Sequence, residues 1–140
     1  MAPADVAAVK QILEASPEAA QWAVSDLEHP VWPQAGIWVA EENSGVAGMV
    51  AARSAGGEAE ILNLAVAPLF RRRGLGKALV EAALAASKAH GAARIFLEVR
   101  ESNADARLFY AGLNFTESGR RSRYYRDPAE DALVLARNLD

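Results

Sequence analysis

The sequence has no cysteine in its 140 residues and only two histidines, His29 and His90. The lack of cysteine excludes disulfides, thiolate nucleophiles and Cys-ligated zinc or iron–sulfur sites, and two histidines exclude a His-rich metal site. No apolar run approaches the roughly 18 residues that a membrane span needs, and the N-terminus lacks the basic segment of a signal peptide. We therefore expect a soluble, cytoplasmic protein with no metal and no membrane partner.

Acidic and basic residues nearly balance, with 18 Asp and Glu against 15 Lys and Arg, and the net charge is −3. This value argues against a direct nucleic-acid partner. The charge is unevenly spread, because residues 1–70 carry two basic and nine acidic side chains, whereas residues 71–140 carry thirteen basic and nine acidic ones. The second half therefore favours an anionic ligand and the first half a cationic one.

Length and composition are those of one globular domain spanning residues 1–140, with 51% hydrophobic and 24% charged residues. Hydrophobic spacing predicts helices over 4–15, from Ser16-Pro17-Glu18 to about Leu27, from Leu75 to His90-Gly91, and from Ser102-Asn103 to near Gly112. Strands are predicted over 37–40, 46–52, 58–67, 95–100, 115–120 and 131–137, the last two joined by a basic, aromatic loop. A meander followed by a strand–helix–strand unit requires a parallel pair in a mixed sheet, hence an α/β (α+β) fold.

The segment Arg71-Arg72-Arg73-Gly74-Leu75-Gly76-Lys77 lies between a predicted strand and a predicted helix. Two glycines permit a tight turn close to a ligand, and the uncapped N–H groups of a helix N-terminus together with basic side chains favour a diphosphate. The segment lacks the third glycine of a dinucleotide-binding fingerprint and the spacing of a Walker A loop. The alternative is a basic loop with a tight helix entry and no ligand.

This loop resembles the Q/R-x-x-G-x-G/A loop of the GCN5-related N-acetyltransferase (GNAT) family. The segments Asn63–Pro68, Leu97–Arg100, Ser102-Asn103 and Phe109–Phe115 follow in that family's order and spacing. The tail Arg121-Ser122-Arg123-Tyr124-Tyr125 with Glu130–Leu133 is similar to the RimI-type ribosomal-protein alanine N-acetyltransferases. The resemblance is strong over about 58–137, which is the expected acetyl-CoA-binding core, and weak before it.

The resemblance implies the GNAT fold, with a mixed, mostly antiparallel sheet, a parallel central pair and helices on both faces. It also implies acetyl-CoA as co-substrate, with its diphosphate in the basic loop and its pantetheine arm along the strand before that loop. The residues expected to bind it are Leu64, Ala65, Val66, Arg71, Arg72, Arg73, Gly74, Leu75, Gly76, Lys77 and Asn103. For Leu64 and Val66 this expectation concerns the backbone, since their side chains are expected in the core.

Glu98 lies inside an otherwise apolar strand, where a carboxylate is costly unless it is paired or solvated. It is therefore a candidate general base facing a cleft, or else part of an ion pair with Arg94 or Arg107. Tyr110 is a candidate general acid for a departing thiolate, or else a core aromatic beside Phe109. Asn103 can also simply cap its helix.

Three functions remain open from the sequence. The first is acetyl transfer to the N-terminal α-amine of a protein, with a ribosomal protein as the expected acceptor. An α-amine, with a pKa near 7.7 to 8.0, is easier to deprotonate than the side chain of lysine. The second is the same chemistry on a small amine, and the third is a non-catalytic acyl-CoA-binding module. One further cluster contacts RNA or phosphate, or is a solvated loop with a packed tyrosine, or, by the resemblance, lies beside the acceptor site. It consists of Arg120, Arg121, Arg123, Tyr124, Tyr125 and Arg126. The chain is expected to be a monomer or a homodimer.

Overall fold

The computed structural model describes residues 1–28, 35–42, 45–71, 73–126 and 129–139. Its helices are α1 (Val6–Glu14), α2 (Val24–Glu28), α3 (Leu75–Ala89) and α4 (Ala104–Gly112), with 3₁₀ turns at Pro3–Asp5 and Pro68–Phe70. Its strands are β1 (Ala35–Glu42), β2 (Gly45–Ala55), β3 (Glu58–Val66), β4 (Arg94–Arg100), β5 (Thr116–Arg126) and β6 (Ala129–Asn138). Within the described ranges, no helix is both long enough and apolar enough to cross a bilayer.

These strands form one sheet in the order β1-β2-β3-β4-β6-β5. Neighbouring strands run antiparallel except β3 and β4, which are parallel at the centre of the sheet and are joined through α3. The predicted mixed sheet with a parallel central pair is confirmed.

The two faces of the sheet carry separate apolar cores because side chains alternate along each strand. On one face, α3 and α4 cover Ile95, Leu97 and Val99 of β4. On the other face, α1 and α2 cover β2, where Met49 is completely buried. Helices therefore flank both faces, as predicted.

The predicted helix from Ser16 to about Leu27 is wrong. Residues 15–23 form turns and irregular backbone, and only Val24–Glu28 is helical. Ser16 is no N-cap, since its hydroxyl donates to the Ile12 carbonyl at 2.8 Å. The Gln21 side chain donates to the carbonyls of Leu13, Ser16 and Ala19, and these local bonds replace a helical ladder.

The basic, aromatic loop predicted after residue 120 is also wrong in part. β5 continues to Arg126 and pairs with β6, although its register is irregular between Arg121 and Tyr125. The connection between the two strands is confined to residues 127–128, which lie outside the described ranges.

Candidate active site

The central parallel pair opens into a gap shortly after it begins. β3 and β4 are in register from Glu58 opposite Arg94 to Glu60 opposite Phe96, and the described pairing ends there. From Leu62 onward β3 leaves β4, so the end of β3 and the end of β4 line two sides of an opening in the sheet. A strand edge without a partner strand can pair with the amides of an extended ligand.

The backbone of β3 presents alternate residues to this gap. On the β2 side, the Ala67 N–H donates to the Ala47 carbonyl at 2.7 Å. Because bonded positions alternate along an antiparallel pair, the N–H and C=O groups of Leu64 and Val66 point away from β2. The Leu64 N–H meets the Asn63 Oδ1 at 3.1 Å, and the Val66 carbonyl accepts from the Arg71 Nε at 3.0 Å.

Asn63 joins the gap to the turn that precedes α2. β3 carries a bulge here, since Ala51 lies opposite Asn63 while Ala52 lies opposite Ile61. The buried Asn63 amide accepts from the Ala20 N–H at 3.2 Å and donates to the Ala20 carbonyl at 2.9 Å. Sequence reasoning gave this residue no role, although a polar side chain within an apolar strand was a signal.

The N-terminus of α3 adjoins the end of β3, and within the described residues no side chain caps it. Gly74, the N-cap, has φ 80° and no side-chain cap, and the first intrahelical bond runs from the Ala78 N–H to the Gly74 carbonyl at 3.1 Å. A Cβ added at Gly76 would lie 3.3 Å from the Phe109 ring, so α3 and α4 approach closely at this point. The uncapped turn and the missing Cβ atoms fit an anion such as a diphosphate.

The basic side chains of this loop have unequal surroundings. Arg73 is exposed, with its guanidinium 5.4 Å from the Phe70 ring centre, and exposed Lys77 lies 3.9 Å from Glu81. Arg72 lies outside the described residues. Its expected contact with acetyl-CoA, like those of Arg73 and Lys77, stays a prediction.

Arg71 connects the loop to the turn after α1. Its Nη2 lies 3.1 Å from the Ser16 Oγ and 3.3 Å from the Ala15 carbonyl, and its Nε donates to Val66. These protein partners occupy much of the guanidinium, which favours a positioning role; its predicted phosphate contact stays untested.

Glu98 projects from β4 on the face opposite Leu97 and Val99, at the edge of the gap. Its carboxylate is 14% exposed and its Oε1 lies 2.7 Å from the Arg121 Nε. Glu98 therefore forms an ion pair, as the alternative expected, but its partner is Arg121 and not Arg94 or Arg107. Arg107 instead donates to the Glu101 carbonyl. Arg121 was missed because its approach depends on the irregular pairing of β5.

A second carboxylate, Glu60, lies on the same side of the sheet. Its side chain is 18% exposed and its Oε1 lies 3.2 Å from the Arg53 Nη2. Burial raises the pKa of Glu60 against the lowering effect of Arg53, and the charge of Glu98 raises it further. The gap is therefore bordered by two carboxylates, and the charge of Glu98 disfavours ionisation of Glu60.

Tyr110 approaches the gap from the other face, on α4. Its ring is 6% exposed and packs edge-on against Phe109 and Phe115, at 5.0 and 5.4 Å between centres. Burial of the ring raises the pKa of Tyr110, which keeps the phenol protonated at neutral pH.

Asn103 begins the helix that carries Tyr110. Its Oδ1 accepts from the Ala106 N–H at 3.1 Å, so the predicted cap is confirmed. Nearby, Glu130 accepts from the Ser102 N–H at 2.6 Å and from the Arg100 Nη1 at 3.2 Å. The turn before α4 is thus tied to the hairpin of β5 and β6.

Tyr124 and Tyr125 lie where this hairpin meets β4. Their rings pack edge-on at 5.2 Å, and the Arg100 guanidinium lies 4.3 Å from the Tyr125 ring centre. The pKa of Tyr124 is raised by the charge of Glu98, by burial, and by hydrogen bonding to the same carboxylate. Burial and the charge of Glu98 raise the pKa of Tyr125 to about 12.

Residues 7–115 match the model of the acetyltransferase (GNAT) family. The match covers most of the chain, which therefore belongs to this family. The resemblance stated from the sequence is confirmed, and so is the GNAT fold.

Among its relatives is the ribosomal protein bS18-alanine N-acetyltransferase of Escherichia coli (strain K12), 43% identical over 81 residues, or 56% of this chain and 55% of that protein. The chain thus spans about half the length of this curated relative. A Bacillus subtilis (strain 168) protein provisionally given the same name is 33% identical over 125 residues, covering 88% of this chain and 83% of its own.

Two solved structures of acetyltransferases resemble this chain, one of them over its whole length. The crystal structure of the ribosomal-protein-S18-alanine N-acetyltransferase from Escherichia coli superimposes with a TM-score of 0.85 at 29% identity, covering 100% of this chain and 91% of that one. Nourseothricin acetyltransferase superimposes with a TM-score of 0.73 at 30% identity, over 77% of this chain and 67% of that one.

Proposed function

We propose that this chain is, as a single domain spanning residues 1–140, an acetyl-CoA-dependent N-acetyltransferase acting on the N-terminal α-amine of a protein. The relatives support the N-terminal alanine of ribosomal protein bS18 as acceptor. One observation carries the proposal: the gap between β3 and β4 has Glu98 on one face and Tyr110 on the other, beside the uncapped N-terminus of α3. A cytoplasmic location fits an acceptor of this kind.

The N-terminus of α3 binds the diphosphate of acetyl-CoA. The N–H groups of Leu75, Gly76 and Lys77 have no side-chain cap, and the partial positive charge of a helix N-terminus favours an anion there. The exposed side chains of Arg73 and Lys77 add full positive charges to this partial charge. Acetyl-CoA supplies an activated acetyl group, and the loop holds only its negatively charged end.

The free edge of β3 orients the remainder of the donor. The N–H and C=O groups directed into the gap can pair with pantetheine amides as another strand would. Of the Leu64 and Val66 N–H groups directed into the gap, the Val66 N–H is the better donor to the thioester carbonyl, because the Leu64 N–H already meets Asn63 Oδ1. An N–H held in this way polarises a carbonyl without reorganising.

The two faces of the sheet divide the proton chemistry. Glu98, with its carboxylate partly exposed on the face covered by α1 and α2, accepts the proton that the amine loses. Tyr110, whose hydroxyl stays protonated on the opposite face of the sheet, protonates the departing thiolate. The acceptor and the donor then enter from opposite faces and meet in the gap.

Intact-mass measurement tests this function. The protein is incubated with acetyl-CoA and a synthetic peptide that begins with the N-terminal alanine segment of bS18, with the same peptide blocked at its α-amine as control. We expect a gain of one acetyl group on the free peptide alone. No gain, with acetyl-CoA bound, would contradict the proposed acceptor.

A small amine is the second candidate acceptor. The likeness to nourseothricin acetyltransferase, an enzyme named for nourseothricin and not for a protein acceptor, favours it. A parallel screen of polyamines, amino acids and aminoglycoside-type amines separates the two, since faster turnover of a free amine than of the peptide would select this candidate. Binding of acetyl-CoA with no acceptor of either class would instead support the non-catalytic module.

A further inference from the structure

The hairpin beside Glu98 contains a pairing defect. Arg121 lies opposite Ala132 and Tyr125 lies opposite Glu130, so three residues of β5 face the single residue Asp131 of β6. Within this stretch Arg123 has φ 51°, a left-handed conformation that is unfavourable for a residue with a Cβ. Such a conformation persists only where its surroundings hold it.

Asp131 holds this defect in place. Its Oδ1 accepts from the backbone N–H of Arg123 at 2.9 Å, and its Oδ2 accepts from the Arg120 Nη1 at 2.8 Å. The Arg123 N–H, followed by the Arg120 side chain, lowers the pKa of Asp131, so this acceptor is ionised at neutral pH. Arg120 also contacts Glu101, in the turn that leads to α4.

The defect places two side chains at Glu98 that a regular strand would separate. Arg121 and Tyr124 are three positions apart, so strict alternation would send them to opposite faces of the hairpin. Instead Arg121 lies 2.7 Å from the Glu98 carboxylate, and its guanidinium lies 5.5 Å from the Tyr124 ring centre. The Glu98 carboxylate also interacts with the Tyr124 hydroxyl, through its charge and through a hydrogen bond.

We propose that Asp131 is a positioning residue for the acceptor site: by holding Arg123 in the left-handed conformation, it directs Arg121 and Tyr124 to Glu98. This rests on the proposed function, in which Glu98 takes the proton of the acceptor amine. Asp131 itself contacts neither substrate and acts through the backbone of β5.

The first test compares Asp131→Ala with Glu117→Ala, which removes an exposed acid from the same hairpin. We expect kcat/KM for the acceptor to fall about tenfold in Asp131→Ala, which corresponds to about 1.4 kcal/mol, and to change less than about twofold in Glu117→Ala. Asp131→Asn, which keeps an oxygen for the Arg123 N–H, is expected to recover most of the loss. The Kd for acetyl-CoA by calorimetry stays near wild type in all three variants.

A double-mutant cycle separates positioning from general loss of structure. Glycine adopts a positive φ without support, so Asp131→Ala should cost much less activity in an Arg123→Gly background than in the wild-type background. Equal losses in both backgrounds, or weakened acetyl-CoA binding in Asp131→Ala, would overturn the proposal. A wild-type protein that acetylates no peptide would overturn the proposed function instead.

Discussion

At the scale of single residues, the proposed mechanism depends most on Glu98 as the general base. Its carboxylate is ion-paired yet partly exposed at the gap, and Gln keeps its size and its hydrogen bonding to Arg121 while losing basicity. We expect Glu98→Gln to lower kcat about 10²-fold, as removal of a general base does, with the Kd for acetyl-CoA unchanged. Steady-state kinetics measure kcat and calorimetry measures the Kd, with Glu117→Gln as the control. Unchanged turnover in Glu98→Gln would show that Glu98 is not the general base.

The raised pKa of Glu60 predicts a pH-dependent stability. A carboxyl whose pKa is higher in the folded than in the unfolded protein contributes unfavourably once ionised, and the effect disappears below its ordinary pKa near 4.5. Glu60→Gln should therefore raise Tm relative to wild type at pH 7, with a smaller gain at pH 4. Thermal unfolding checks this against Glu58→Gln, an exposed acid of the same strand. An equal gain at both pH values would contradict the assignment.

Among the elements, α4 begins at Asn103, whose side chain caps it and which is also expected to contact acetyl-CoA. Asn103→Ala should lower Tm by a few degrees, since loss of an N-cap costs about 1 kcal/mol. Asn103→Asp keeps the cap and suits the helix N-terminus. If Asn103 also contacts acetyl-CoA, the Asp variant retains its Tm but binds the donor more weakly; unchanged binding would limit Asn103 to capping.

The elements also show what local sequence can predict. α1 and α3 follow from hydrophobic spacing, and α4 from its cap, because local interactions decide them. The helix expected after Ser16 fails because Gln21 bonds nearby carbonyls and Arg71 reaches Ser16 from a distant segment, and hydrophobic spacing indicates neither. Glu98 and Tyr110 could be selected as candidates, whereas Arg121 could not, since its position depends on a register defect set by Asp131 ten residues later.

For the whole molecule, the division of charge predicts a salt effect. Residues 1–70 are acidic in balance and residues 71–140 basic, so a basic acceptor and an anionic donor are each attracted by one half. We expect KM for a basic Ala-initiated peptide to rise with NaCl more steeply than KM for a matched peptide with glutamine at its basic positions. Equal salt dependence for the two peptides would contradict electrostatic recognition of the acceptor.

The gap beside α3 is the feature on which the whole account depends, and amide hydrogen exchange tests it most directly. Exchange is followed by mass spectrometry with and without acetyl-CoA, in peptides covering residues 62–66 and 74–78. We expect acetyl-CoA to slow amide exchange in both segments, because the backbone groups of β3 and the N–H groups at the start of α3 acquire hydrogen-bond partners together. Bound acetyl-CoA that leaves both segments unprotected would place the donor elsewhere and contradict the account.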